Sequence, residues 1–249
     1  MAKKLLKVLN RILDVIIILS ILIAMAYSLY SIWDNNSIYA ASLSLSVKIR
    51  EKKPTGDKPS FDELRAINPD VMAWITLNGT NIDYPIVQGK NNEEYLNKDV
   101  YGDYSLAGSI FLDTRCDPNF TDFNELIYGH HMEKHEMFGD LDLYLDQDFF
   151  NTNTTGTLLL PGKKIPVTVV AVMVVEDNDA WVFDPAVVDD DPQGYLSYIS
   201  TNARYSNASA LNSVVTDPNA THLLTLSTCS SDQERDRTAV IVSYPANYE

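Results

Sequence analysis

The sequence predicts a mainly β fold with helical insertions, preceded by one N-terminal transmembrane helix. Three observations predict it. An uncharged apolar run lies near the N-terminus, short alternating or β-branched runs recur from Val71 onward, and helix-period segments interrupt them. Many short strands with a few helices between them argue for a closed β-barrel with helical decoration.

The apolar run extends from Val15 to Trp33 and contains no charged residue, close to the ~20 residues that span a bilayer as a helix. Lys3, Lys4, Lys7 and Arg11 precede it and Asp34 follows it. The positive-inside rule therefore expects a cytoplasmic N-terminus and an extracellular bulk. Ala24-Met25-Ala26 resembles a signal-peptide cleavage site, but the apolar run continues well past it, so an anchor is expected over a cleaved signal. Either way the domain is exported. The organisation expected is a cytoplasmic basic segment over 1–14, the anchor over 15–33, an extracellular stalk over 34–60 and a catalytic domain over 61–249.

The stalk opens with a stretch able to continue as helix until Pro54, Gly56 and Pro59 break it. Phe61 to Ile67 reads as a short amphipathic helix. Strands are expected at Val71 to Leu77, Asn81 to Val87, Gly108 to Leu112, Glu125 to Tyr128, Thr157 to Leu160, Ile165 to Val175, Leu223 to Thr228 and Ala239 to Tyr244. Asn78-Gly79 marks a hairpin turn between the first two. Met137, Phe138, Leu141 and Tyr144 recur at helix spacing, and Tyr195 to Ala203 reads as a helix after Asp189-Asp190-Asp191-Pro192. That acidic triplet reads as a solvated loop, because its neighbours lack the alternating oxygen ligands of a calcium loop.

The net charge is −15, and beyond residue 14 the chain carries 15 basic against 33 acidic residues. Such a surface excludes nucleic-acid or anionic-lipid binding through a broad basic face. The two cysteines, Cys116 and Cys229, would be paired by default in an exported protein. Cys229, however, falls where strand alternation gives way to the polar loop SSDQERD, and a strand returns directly after Arg237. A strand-end thiol beside a cation has the access and the electropositive neighbour that a reactive cysteine needs. In an antiparallel pair the end of one strand neighbours the start of the next, so the loop does not separate Cys229 from Arg237. A proton partner is also needed. His130, His131 and His135 follow the strand expected to end at Tyr128, with Gly129 allowing a sharp exit. His222 lies at the far end of the cysteine's own strand and reads as structural. A zinc cluster of His130, His131 and His135 lacks the HExxH spacing and a completing carboxylate or thiol.

The run TLSTC followed by an arginine at the head of the last strand, with YGHHM upstream and a membrane anchor, resembles the sortases, the cysteine transpeptidases of Gram-positive surfaces. Similar to class B are the wording LIYGHHM, the Met137-Phe138 that follows, the NEEYL block from Asn92 to Leu96, and a long helix-bearing insertion before the cysteine strand. The resemblance covers Phe61 to Glu249 and implies a sortase-like eight-stranded β-barrel. It implies Cys229 as nucleophile, His130 as general acid/base in preference to His131, and Arg237 as the third member in preference to Arg235. Asn92, Tyr95 and Leu96 would lie near a substrate groove, with Tyr128 and Ser227 flanking the catalytic pair. Loop contacts are not carried over, since SSDQERD departs from some class B relatives in length and content.

The implied reaction cleaves a C-terminal sorting signal, LPxTG-like, through a thioester and joins it to a peptidoglycan-precursor amine. A pilin lysine as acceptor is the runner-up. Partners implied are sorting-signal-bearing surface proteins or pilins, and no metal or organic cofactor is implied. The rival of a different class is a non-enzymatic surface domain stapled by a Cys116 to Cys229 disulfide. Cys116 is expected to be a free, partly buried thiol.

Overall fold

The computed structural model describes residues 2–229 and 236–247, with the side chains of Ala2 and Cys229 outside the description. Arg235, the alternative to Arg237, also lies outside the described residues. The chain divides into two compact units, Met1–Ser44 and Leu45–Glu249. The first belongs to helix α1 (Ala2–Arg50). That helix is long and apolar enough to cross a membrane.

In the second unit α2 (Asp62–Ile67) precedes β1 (Val71–Leu77), β2 (Asp83–Val87), β3 (Ile110–Leu112), β4 (Asn124–Met132) and β5 (Glu136–Met137). A 3-10 helix (Gly139–Leu145) and α3 (Gln147–Thr152) lead to β6 (Thr155–Leu160) and β7 (Lys163–Glu176). Then come α4 (Ala180–Phe183), α5 (Pro185–Asp190), α6 (Pro192–Asn202), β8 (Tyr205–Ser206), α7 (Ala208–Thr216), β9 (Thr221–Cys229) and β10 (Asp236–Pro245). Strand order is β10-β9-β4-β3-β2-β1-β6-β7, and β7 pairs with β10 to close the eight-stranded barrel. The two-residue strands β8 and β5 are appended to β7 and β4. Closure leaves the eight long strands without a free edge.

β4 and β9 run parallel, in register from Asn124↔Leu223 to His130↔Cys229. A parallel pair requires a long crossover, and the segment between these strands supplies it with β5 to β8 and the helices. The crossover helices begin on acidic or amide caps. Asp146, Asp179, Asp184, Asp191 and Asn207 each accept a backbone N–H from the first turn that follows. The acidic triplet is therefore built into helices rather than left as a loop. Asp189 and Asp190 end α5, Asp191 caps α6, and Pro192 occupies its first turn. The crossover packs on one face of the β7–β10–β9 sheet, where Tyr195, Leu196 and Ile199 of α6 and Val214 of α7 meet Val170, Ala239 and Ile241.

Two local expectations are corrected. β4 continues through Met132, so His130 and His131 are strand residues on opposite faces and do not follow the strand. Met137 belongs to β5, and the segment expected as helix after it is a 3-10 turn. Asp140 ties this turn to its surroundings: Asn81 N–H and His135 Nδ1 both bond its carboxylate, at 2.7 and 2.6 Å.

Candidate active site

Parity along the strands separates two faces of the β4–β9–β10 region. Thr225 bonds Asn124 across the parallel pair and Tyr195 of α6 above it, both at 2.8 Å. Asn124, Tyr128 and His130 of β4 share strand parity, as do Thr225 and Ser227 of β9. This is the helix-covered face. Tyr128 stacks on Phe183 of α4, with ring centroids 6.4 Å apart and planes within 10°. His130 is half-buried, and its Nε2 lies 2.6 Å from the Leu96 carbonyl. A carbonyl oxygen only accepts, so Nε2 carries the proton and, in the neutral ring, Nδ1 is the acceptor.

Gly108 permits that contact. Its φ is +60°, and a Cβ there would sit 2.5 Å from Leu96 O and 3.0 Å from His130 Cδ2. Gly129 has a different reason from the sharp exit expected of it. A Cβ at 129 would come within 2.4 Å of Ile110 and 2.7 Å of the Phe138 ring, so close packing requires glycine there. The strand passes straight through.

Cys229 closes β9 directly opposite His130. β10 pairs antiparallel with β9 as far as Ala239↔Ser227 and with β7 through Arg237↔Val175; continued for two residues, the β9 register would set Arg237 level with Cys229. Arg237 is half-buried, and among the described residues it makes one loose ion pair, 3.9 Å to Asp177. The three expected positions thus form a row across three adjacent strands. Neighbouring strands lie about 4.8 Å apart, so the backbone row is roughly 10 Å long.

The other histidines are committed elsewhere. His131 Nε2 pairs with Asp142 at 2.7 Å, and the second Asp142 oxygen accepts from Thr238 Oγ1 at 2.6 Å. The bond to Asp142 holds the His131 imidazole above its ordinary range. Burial pushes the Asp142 carboxyl up, but the bonds from His131 and Thr238 outweigh it and leave it lowered. Thr238 N–H also donates to Thr228 Oγ1 at 3.2 Å, so this chain ties β4, β9 and β10 together one residue from the row. His222 stacks on Tyr244, seven residues from Cys229.

The residues expected around a groove divide in two. Leu96 presents its carbonyl to His130, and Asn92 and Tyr128 converge on Asp113 at 2.9 and 3.2 Å. Tyr95 and Ser227 are 1% and 0% exposed, and the Tyr95 hydroxyl is spent on Asp70 and Asn68. These two side chains shape the region from inside. Sequence reading missed the hub itself. Asp113 is fully buried and takes Arg115 through both oxygens, at 3.0 and 2.8 Å, while Arg115 reaches the Phe183 carbonyl and Asp184. Burial pushes the Asp113 carboxyl up, but Arg115 outweighs it and holds it below its usual range. The Asp-Thr-Arg triplet after β3 was the available signal.

Cys116 is a free, buried thiol, which removes the disulfide-stapled alternative. Its sulfur accepts the Leu126 N–H at 3.4 Å, and Leu126 pairs with Thr225. Cys229 lies four residues further along the strand, roughly 13 Å away, beyond any disulfide span.

Comparison with known proteins agrees with this barrel. The sortase domain family matches residues 75–244, and the chain belongs to the sortase family, whose members are cysteine transpeptidases. Sortase B of Listeria monocytogenes is 31% identical over 212 residues, covering 84% of this chain and 80% of the relative. A Streptococcus pyogenes class B sortase involved in pilus biogenesis is 38% identical, with TM-score 0.66, covering 74% of this chain and 97% of its own. Sortase B of Clostridium perfringens is 31% identical, with TM-score 0.65, covering 74% and 99%. The structural neighbours are class B sortases.

Proposed function

We propose that Cys229, His130 and Arg237 make this chain a transpeptidase that cleaves a C-terminal LPxTG-like sorting signal. The observation that carries the reading is the register pair His130↔Cys229 across β4 and β9, with Arg237 on the adjacent β10, two residues before the one that pairs with Ser227. In the proposed reaction the Cys229 thiolate attacks the backbone carbonyl of the signal's threonine. The guanidinium of Arg237 steadies the resulting oxyanion. His130, with Nε2–H held by Leu96, works through Nδ1. In its protonated form it gives a proton to the leaving amine, and a thioester remains. The incoming amine then loses a proton to Nδ1 and attacks the thioester, forming a new amide and freeing the thiolate.

The acceptor proposed first is an amine of a peptidoglycan precursor, with α1 anchoring the enzyme so that its N-terminus is cytoplasmic and its barrel faces the wall. A pilin lysine is the second reading. It draws on the pilus-biogenesis relative being 38% identical while the other two named above are 31% identical.

The test is intact mass of the full chain in detergent micelles after incubation with a sorting peptide. A thioester adduct should form, vanish in Cys229→Ala, and be consumed by a wall-peptide amine faster than by a pilin lysine. An adduct on Cys116, or full activity in Cys229→Ala, would overturn the assignment. Faster consumption by pilin would move the acceptor to the second reading.

A further inference from the structure

We infer that Cys116, Asp122 and Glu125 form a divalent-cation site of zinc-like preference at the base of β4, separate from the proposed catalytic row. One ligand atom from each of the three lies within 4.8 Å of the other two. Cys116 is 4% exposed and Glu125 is 0% exposed. Glu125 Oε1 accepts the Asp122 N–H at 3.2 Å, while Oε2 is fully buried and among the described residues meets no donor except the weak S–H of Cys116, its proposed co-ligand. A buried carboxylate oxygen without a partner is costly and calls for a ligand or a proton.

The chemistry of the donors selects the ion. A thiolate with two carboxylates suits a borderline cation such as Zn2+, whereas calcium and magnesium take oxygen alone. Zinc bond lengths of about 2.0–2.3 Å in tetrahedral array put ligand atoms roughly 3.3–3.7 Å apart, so the donors need close by only about an ångström. The loop that carries two of them is already fixed. Gln88 donates to the Asp113 and Cys116 carbonyls at 3.0 and 2.9 Å, and Asp117 N–H donates to Asp122 at 2.7 Å. The neighbouring carboxylate of Asp117 adds negative potential that a cation relieves.

Without an ion, burial holds both inner donors as neutral acids. It pushes the Glu125 carboxyl up to about 9 and the Cys116 thiol well above its ordinary range. Binding then transfers the S–H and O–H protons to solvent as the two metal bonds form. Glu125 and His130 sit five residues apart on β4, so the ion would pin the strand that carries the proposed general base.

The test uses the full chain in detergent micelles with Cys229→Ala, which leaves Cys116 as the only thiol. Equimolar Co2+ should give a thiolate-to-cobalt charge-transfer band, and Zn2+ should abolish it by displacement. Cys116→Ser should remove the band, and Glu125→Gln and Asp122→Asn should each weaken Co2+ binding at least tenfold. Asp122 is only partly buried, so Asp122→Asn decides the matter should Glu125→Gln fail to fold. Three results would overturn the site: no band, a band undiminished in Asp122→Asn, or a band that Zn2+ fails to displace.

Discussion

The Nε2 of His130 lies 2.6 Å from the Leu96 carbonyl, and Gly108 is what lets that carbonyl reach the ring. The bond fixes the ring's tautomer and orientation from outside its own strand. Gly108→Ala places a methyl group 2.5 Å from Leu96 O at a positive φ. We expect a loss of about 1–3 kcal/mol in stability from strain and overpacking. The transpeptidation kcat should fall roughly tenfold or more with KM little changed, since misplacing a positioned group by an ångström costs turnover first. Steady-state kinetics beside thermal unfolding checks both. An unchanged kcat would mean that the Leu96 contact does not orient the base.

His130 and His131 are adjacent in sequence and held by different partners, the Leu96 carbonyl and the Asp142 carboxylate. His130→Ala should abolish turnover while His131→Ala retains much of it; the reverse outcome would transfer the base role to His131. The His131–Asp142 pair should appear instead in stability against pH. His131 is raised in the folded state, so its contribution is complete below the unfolded value near 6.5 and is lost as pH rises through the folded value. Asp142 is lowered, so its contribution is present above about 3.9 and is lost as pH falls through the folded value. The pair therefore helps most in mildly acidic solution. Both side chains are more than a third exposed or close to it, so solvent screening limits the effect to about 0.5 kcal/mol. His131→Gln should lower the melting temperature at pH 5.5 and converge on the wild type by pH 9.

Arg115 holds Asp113 ionised inside the protein, and Asp113 in turn gathers Asn92 and Tyr128. Without the guanidinium, burial is the dominant influence on that carboxyl and raises it. Arg115→Met should therefore cost about 1–3 kcal/mol at neutral pH and move acid unfolding upward by roughly one pH unit. The sign follows from linkage. A lowered carboxylate contributes stability above its unfolded value and loses it only as pH falls through the folded one. Circular dichroism from pH 7 to pH 2 reads the shift; coincident acid transitions would refute the clamp.

How far these relationships could be read from sequence depends on whether a side chain's partner is local. β1 was legible residue for residue because its apolar alternation ends at an Asn-Gly turn, where Gly79 does take φ +83°. The end of β4 was not legible, because its polar His130 and His131 are held by Leu96 and Asp142, 34 and 11 residues away. α4 and α5 span only four and six residues, too few to show a period, and they reveal themselves through their caps. Cys229 and Arg237 could be proposed early because they sit at or beside strand ends, and His130 because a thiol nucleophile calls for a histidine partner, although it lies inside β4. The Asp113 hub was harder to see, since a buried carboxylate and a surface one look alike in sequence and only the arginine two residues on, Arg115, marks it.

The hairpin beyond His130 supplies the last expectation. Lys134, His135 and Met137 all hold left-handed backbone, with φ of 61°, 65° and 52°, a conformation that costs non-glycine residues energy and persists only when neighbours enforce it. Tyr84 enforces it here. Its hydroxyl accepts the Met137 N–H at 3.0 Å and donates to the buried Glu136 carboxylate at 3.2 Å. Ser46 supplies Glu136 with a second donor at 3.1 Å. The next residue, Phe138, donates its N–H to the His130 carbonyl at 3.0 Å, so slack in the hairpin reaches the proposed base directly. Tyr84→Phe removes one oxygen and leaves a buried N–H and a carboxylate oxygen each short of a partner. That should cost about 1–3 kcal/mol, with amide exchange rising first in residues 133–138, and kcat should fall while KM holds. A global loss of protection with unchanged turnover would instead make Tyr84 a general packing residue, with no part in holding His130.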